Sequence, residues 1–332
     1  MNEKEQQRHK TVLLGEAISA LNIQRGDIVV DATLGAGGHT LEMTRRVGNS
    51  GKVVSFDWDK EAIERFIEEN EFTVVAERDN GEIKIIKEKS LILVRSNFKN
   101  ITKVIKGLYS IGDLNKDRVD GVLADLGWRI EQVEDKKYGM SFREEAPLNM
   151  RFDLESGGIT AREIVNEWSV EELKSIFWEL GEEGFAEQIA QAIERERKSK
   201  SIETTKELAD LIARVKKEKR GKLNPATKVF QALRIAVNEE LSNLQIFLEQ
   251  SFDVLESKGR LVIISFHSLE DRLVKNFFRA KARGCVCPKE IPVCVCGQKK
   301  EGKSFRIIRA GEEELRNNRR ARSAILRVLE KV

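Results

Sequence analysis

Asp125-Leu126-Gly127-Trp128 sets a carboxylate beside an aromatic ring just after a short apolar run, a pairing suited to chemistry on a nucleobase amine. Such an amine is a poor nucleophile because its lone pair is delocalised into the ring. A carboxylate that accepts its N–H hydrogen bonds draws the nitrogen out of plane and offsets the positive charge that forms on alkylation. An aromatic face alongside can stack an extruded base. The plainer readings are a strand-end Asp capping a loop and a core indole. A second candidate segment is Ile264-Ser265-Phe266-His267-Ser268-Leu269-Glu270-Asp271-Arg272. His267 there can take the amine proton or contact a phosphate, against the alternative of a structural imidazole. The catalytic candidates are therefore Asp125, His267 and Trp128.

Val29-Val30-Asp31-Ala32-Thr33-Leu34-Gly35-Ala36-Gly37-Gly38-His39-Thr40 reads as a strand, a glycine-rich turn and a helix start. Glycines at that point let a backbone approach a bound cofactor at the carboxyl edge of a parallel sheet. A dinucleotide fingerprint would need a glycine where Thr40 stands, which disfavours a nicotinamide cofactor. Asp57 closes the next strand about twenty residues on, where a carboxylate can accept both hydroxyls of a ribose. An ordinary tight turn is the plain alternative. Of the three histidines, His9, His39 and His267, two fall in these candidate segments.

All four cysteines lie in one stretch, Cys285-Val-Cys287 and Cys294-Val-Cys296, spaced C-x-C-x6-C-x-C. Four thiolates so close can hold a structural zinc, with unligated or oxidised thiols as the alternative. They do not form a framework stapling distant elements, which points to a reducing, cytoplasmic setting.

These groups need a scaffold, and the 332 residues allow one large domain or two ordinary ones. Apolar residues make up 40%, enough for a core, and the net charge is only +3. From Arg272 to Arg327, however, sixteen Lys and Arg stand against five Asp and Glu, a basic surface suited to a polyanion. No apolar run reaches the ~20 residues needed to span a bilayer, and the polar MNEKEQQRHK start does not read as a signal peptide. Strands are expected at 28–32, 52–56, 91–94 and 121–124, nearly continuous in apolar residues as buried parallel strands are. Helices are expected between them at 40–47, 60–69 and 101–108. From 136 to 228 the pattern is helical, with segments at 170–180, 185–195 and 206–215, the last capped by Thr204 or Thr205. A charged loop at 216–222 follows, then one long helix carrying Val229, Leu233, Ala236, Val237, Leu241, Leu244 and Leu248. A turn at Lys258-Gly259 leads to strands at 260–265 and 324–329. The whole reads as an α/β doubly wound domain, 1–135 and 229–332, interrupted by a helical insertion at 136–228.

The residues also resemble a known family. His9-Lys10-Thr11-Val12-Leu13-Leu14, Asp31 to His39, Asp125-Leu126-Gly127 and Pro147-Leu148-Asn149-Met150-Arg151 are similar to motifs of the RsmH (MraW) family of 16S rRNA cytosine-N4 methyltransferases. So are Asn224-Pro225-Ala226-Thr227-Lys228-Val229-Phe230-Gln231-Ala232-Leu233-Arg234-Ile235, the His267 segment and Arg320-Ala321-Arg322-Ser323. The match runs through nearly the whole chain in the family's order. The resemblance implies a class I (Rossmann-like) methyltransferase sheet, S-adenosyl-L-methionine as cofactor, and an inserted helical domain for RNA recognition. It implies methylation of the N4 amine of a decoding-centre cytidine, with 16S rRNA in the small ribosomal subunit as partner and no membrane; it leaves a homodimer open. Carried over by position, cofactor contacts fall on Gly37, Gly38, His39, Asp57, Phe98, Asp125 and Gln132. The chain departs from the family at Trp128-Arg129-Ile130, where small and hydroxyl residues are usual, at Asn149 for Asp, and at Arg319 for Pro. The first departure, beside the acceptor site, admits two rivals: methylation of a different nucleic-acid acceptor, or a non-catalytic RNA-binding assembly factor.

Overall fold

The computed structural model describes residues 10–332 apart from 87–89, 156, 217–223, 286, 288–292, 294, 295 and 298. His9, Cys294 and all but the first residue of the charged loop expected at 216–222 lie outside the described residues. In chain order the elements begin with α1 (Leu14–Leu21), β1 (Ile28–Asp31), α2 (Gly38–Val47), β2 (Lys52–Asp57), α3 (Lys60–Glu69), β3 (Val74–Arg78), β4 (Ile83–Ile86), β5 (Leu91–Arg95), α4 (Ile101–Ser110) and β6 (Val119–Asp125). Next come α5 (Ile130–Glu134), α6 (Ala161–Glu167), α7 (Val170–Glu179), α8 (Ala186–Arg197), α9 (Thr205–Lys216), α10 (Thr227–Val237) and α11 (Glu240–Val254). The chain closes with β7 (Leu255–Ser265), α12 (Ser268–Ala282), β8 (Gly302–Ser304), α13 (Glu312–Asn317) and β9 (Ile325–Lys331). It divides into two compact units, Met1–Gly127 with Ser242–Val332, and Trp128–Leu241.

The first unit is a doubly wound sheet in the order β3-β4-β5-β2-β1-β6-β7-β9-β8. Strands β5, β2, β1, β6 and β7 are mutually parallel. The apolar runs that announce them alternate between two buried faces. Ile28, Val30, Val54, Phe56 and Val122 join one core with α4, α11 and α12, while Val29, Val53, Leu93, Leu123 and Val262 join another with α1, α2 and α3. Both faces are dry, so no polar alternation could appear in these strands. Because the chain leaves β1 on one side for β2 and later returns on the other as β6, the carboxyl ends of β1 and β6 flank a topological switch point.

Two parts of this sheet were not visible in the apolar pattern. A hairpin, β3 and β4, extends the sheet beside β5, turning at Asp79-Asn80-Gly81 with Asn80 and Gly81 at positive φ. Its strands are short, and β3 is largely solvated, so Glu77, Arg78 and Lys84 make it read as loop. Strand β7 also begins earlier than expected, at Leu255, and runs through Lys258 (φ 68) and Gly259 rather than starting after them. A Cβ on Gly259 would meet the Glu256 carbonyl oxygen at 2.9 Å, so that irregularity needs glycine.

The second unit is helical around one core that includes Leu173, Phe177, Ile189, Ile193, Leu208 and Leu233. Its helix starts carry reciprocal caps: Thr160 with Glu163, and Ser169 with Glu172. At α9, Thr204 Oγ accepts the Glu207 N–H (3.2 Å) while Glu207 accepts the Thr204 N–H (3.1 Å). Thr205 instead donates its hydroxyl to the Glu144 carbonyl. The single long helix expected from Val229 to Leu248 is two helices, broken at Asn238 and Glu239 (φ 49). Asn238 is buried and donates to the carbonyls of Met150 (2.7 Å) and Arg234 (2.9 Å), while its Oδ1 accepts the Phe152 N–H (2.8 Å). The apolar period runs on through this break, so spacing alone does not reveal it. Among the described residues no helix is long and apolar enough to cross a membrane.

Candidate active site

The carboxyl ends of the parallel strands gather most of the residues singled out in the sequence. Asp31 ends β1 fully buried; its Oδ2 accepts the Thr40 hydroxyl (2.7 Å) and its Oδ1 the Thr33 N–H (3.1 Å). Thr33 Oγ accepts the Asp125 N–H at 2.7 Å and its hydroxyl bonds Asp31. A hydrogen-bonded chain therefore joins the ends of β1 and β6. Burial raises the Asp31 carboxyl to about 7, opposed by the Thr40 and Thr33 bonds and reinforced by the charge of Asp57.

Asp125 ends β6. The residue keeps some exposure, but its Oδ1 is shielded from solvent and has no hydrogen-bond partner. Desolvation lifts its pKa to about 7; the Arg320 guanidinium pulls it down, while Asp31 and Glu270 push it up. An unpartnered carboxylate oxygen at a switch point is expensive in a fold and useful in a site.

Asp57 ends β2 and supports the glycine turn: Oδ2 accepts the Gly35 N–H (3.2 Å) and Oδ1 the Asp59 N–H (2.9 Å). The turn's glycines have separate reasons. Gly35, at φ 55, would have only the Thr33 carbonyl within 4 Å of a Cβ, so the space beside it is open. Gly37 (φ 80) would drive a Cβ to 1.9 Å from the Phe66 ring, and Gly38 to 1.9 Å from the Thr11 hydroxyl. Packing thus accounts for the absence of side chains at Gly37 and Gly38, and the space beside Gly35 is open. His39 is buried in the first turn of α2. Burial lowers it to about 4 against a hydrogen bond to the Val12 backbone, so the ring is neutral, and its Nε2 is left without a partner. Phe98 follows β5 and meets Phe247 edge to face at 4.8 Å between centroids.

His267 caps α12, where the Glu270 carboxylate accepts the N–H of Phe266 (2.9 Å) and of His267 (3.3 Å). The His267 Nε2 stands 3.2 Å from Glu270 Oε1, close enough for an ion pair but without hydrogen-bond alignment; both ring nitrogens are shielded. Arg320 lies over the Phe266 ring at 5.8 Å. Asp31, Glu270 and Arg320 stand inside the sequence motifs, but spacing alone assigns them no role. Their signal was present only as an acid, an acid and a base inside those motifs, and the fold reveals why they matter.

Trp128, Arg129 and Gln132 belong to the helical unit. Gln132 is buried; its Oε1 accepts the Arg129 N–H (3.1 Å) and its Nε2 donates to the Phe152 carbonyl (3.4 Å). Trp128 is half-buried. Asn149 uses its side chain locally, accepting from Arg151 Nε at 2.9 Å.

The site therefore offers a shielded carboxylate, a neutral imidazole with one unpartnered nitrogen, an open space beside Gly35 and an acid at the end of β2. Residues 6–332 match the sequence profile of the MraW methylase family. A relative from Thermomicrobium roseum, named Ribosomal RNA small subunit methyltransferase H, is 42% identical over 326 residues, covering 98% of this chain and 94% of its own. A relative of the same name from Carboxydothermus hydrogenoformans is 43% identical over 327 residues, covering 98% of each chain. With a profile match across nearly all its length and relatives this similar, the chain belongs to the MraW methylase family.

Proposed function

We propose that this protein transfers a methyl group from S-adenosylmethionine to the exocyclic N4 of a decoding-centre cytidine in 16S rRNA, within the small ribosomal subunit and in the cytoplasm. The observation that carries the reading is Asp125: a carboxyl oxygen shielded from water and without a partner, at the sheet's switch point.

The residues of the turn fit the cofactor. His39 Nε2 is an unsatisfied acceptor, Gly35 leaves open space, and Asp57, braced by two backbone N–H groups, ends β2 where a carboxylate suits ribose hydroxyls. Phe98 presents an apolar ring for the adenine, and Gln132 a buried amide. When bound, S-adenosylmethionine supplies a methyl group on a sulfonium, which leaves by in-line displacement.

Asp125 accepts an N–H of the target amine. In doing so it localises the nitrogen lone pair and offsets the charge that grows there. Thr33 holds the Asp125 backbone, and Asp31 holds Thr33. The ionised form of Asp125 is the one that accepts, so its value of about 7 places the working state at neutral pH and above. His267 holds the released proton or a flanking phosphate. Trp128 stacks the extruded base and Arg129 takes a neighbouring phosphate. The helical unit, Trp128–Leu241, supplies the remaining RNA recognition.

The test is incubation with labelled S-adenosylmethionine and small subunits lacking base methylation at the decoding centre, with the label mapped by nuclease digestion and mass spectrometry. One labelled cytidine N4, lost in Asp125→Ala, is expected, and Trp128→Ala is expected to slow labelling. Cofactor binding with label on another nucleic acid would replace the acceptor named here, as the Trp128-Arg129-Ile130 departure allows. Absence of both binding and label would leave a non-catalytic assembly factor.

A further inference from the structure

Cys285, Cys287 and Cys296 bring their Sγ atoms within 4.8 Å of one another, although eight residues of chain stand between Cys287 and Cys296. Cys285 and Cys296 are 3.7 Å apart, sulfur to sulfur. The Cys287 N–H donates to Cys285 Sγ at 3.4 Å, the kind of backbone bond that supports a thiolate. Cys285 and Cys296 face solvent and Cys287 is half-buried. They lie in the connection from α12 to β8, where the described residues form no helix or strand and contribute nothing to the hydrophobic clusters. The neck of this connection is closed: the Glu301 N–H donates to the Lys281 carbonyl (3.0 Å), and Lys281 Nζ pairs with the Glu301 carboxylate (3.3 Å). The described residues of this connection draw no order from a hydrophobic core, so a bound ion is a fitting way to hold them.

We infer that Cys285, Cys287 and Cys296 bind one Zn2+. Three soft thiolates converging within a few ångströms suit zinc, and hard cations take oxygen ligands instead. Binding releases one proton from each thiol and leaves the oxidation states unchanged. Arg283, Lys299 and Lys300 flank the cluster in sequence and offset the negative charge of the thiolates. The ion holds the loop between α12 and β8, ahead of the basic segment that carries Arg320. It takes no part in methyl transfer, so the inference stands apart from the function proposed above.

The experiment is elemental analysis of the full-length protein, purified under reducing conditions without chelator and loaded anaerobically with Zn2+ before gel filtration. One zinc per chain, released by a mercurial reagent and lost in Cys285→Ser and in Cys296→Ser, is the expected result. Loading with Co2+ instead gives a thiolate-to-cobalt charge-transfer band and tetrahedral visible bands in the unsubstituted chain, a readout that does not depend on the variants folding. Less than about a tenth of an equivalent of zinc after loading, or full zinc retention in Cys296→Ser, overturns the site. So does a cobalt spectrum without thiolate charge transfer.

Discussion

Glu183, in the helical unit, lies 3.0 Å from Lys216 Nζ and accepts the Phe185 N–H at 3.1 Å, with the Glu183 and Lys216 side chains only 2% and 9% exposed. Asp125, in the α/β unit, has a shielded oxygen with no partner and a pKa lifted to about 7. Each is an acid drawn away from water, but the helical unit compensates its acid and the strand edge does not. The same contrast runs through the two regions. The helical unit caps its helices reciprocally and pairs its surface charges, as Arg162 does with Glu203 and Arg197 with Glu194. The strand edge gathers shielded, unpartnered atoms of His39, Asn97, Asp125 and His267. A fold tolerates such groups where their unmet bonding capacity is used by a ligand or a reaction.

The sharpest way to break the comparison is to neutralise both acids. Asp125→Asn is expected to lose on the order of 10²–10³-fold in methyl transfer, the scale for removing one charge-stabilising contact. The same change is expected to raise stability. The folded pKa of Asp125 lies above its ordinary 3.8, so the wild type loses stability as pH rises from about 4 to about 7. The amide cannot ionise, so the variant's advantage grows across that window and levels off above it, on the order of 1–2 kcal/mol after allowing for partial exposure. Melting curves at pH 5 and pH 8 read it directly; an Asp125→Asn that melts lower at pH 8 would show that the acid is satisfied after all. Glu183→Gln carries the opposite sign. It strands the buried Lys216 ammonium and costs about 2–4 kcal/mol, while cofactor affinity measured by calorimetry on the folded fraction stays unchanged.

Ionisation of the pair comes next. Burial lifts both Asp31 and Asp125 to about 7, and the charge of Asp31 adds to the upward push on Asp125. Single-turnover methylation is expected to climb about tenfold per pH unit below 7 and to flatten above it, and a flat profile from pH 5 to 8 would remove Asp125 as the acceptor. Thr33→Val tests the link between the two acids. It deletes the hydroxyl that lowers Asp31 and accepts the Asp125 N–H, so Asp31 holds its proton to higher pH, its charge presses less on Asp125, and the midpoint of that profile moves down. An unmoved midpoint with a lower rate would mean that Thr33 only packs. The smallest effect belongs to the helical unit: Thr160→Ala removes one side of a capping box and lowers its stability by about 1 kcal/mol, seen by denaturant titration, with cofactor affinity untouched.

The amino-acid sequence alone determined the parallel strands, because dry two-faced strands are continuous apolar runs of fixed length, as 52–56 and 91–94 are. It determined three helices of the insertion, 170–180, 185–195 and 206–215, through their period, while the short helices at 130–134 and 161–167 escaped it. It placed Asp57 and Asp125 at strand ends by simple proximity to those runs. The division of the helix after Val237 escaped it, since Asn238 breaks the helix by bonding Met150 and Phe152, whose nearness no local pattern records. The β3–β4 hairpin escaped for the opposite reason, its charged residues hiding a sheet edge.

What only the tertiary structure decided is chemical state. Whether an Asp is compensated or left wanting depends on what stands around it in space, and Asp31, Asp125 and Glu183 look alike in a string of letters. The separate roles of Gly35, Gly37 and Gly38 follow likewise from Phe66 and Thr11, which approach two of them and not the third. Covalent order encodes period and polarity; burial and long-range contact set pKa values and hydrogen-bond satisfaction, and those quantities exist only once the chain has folded.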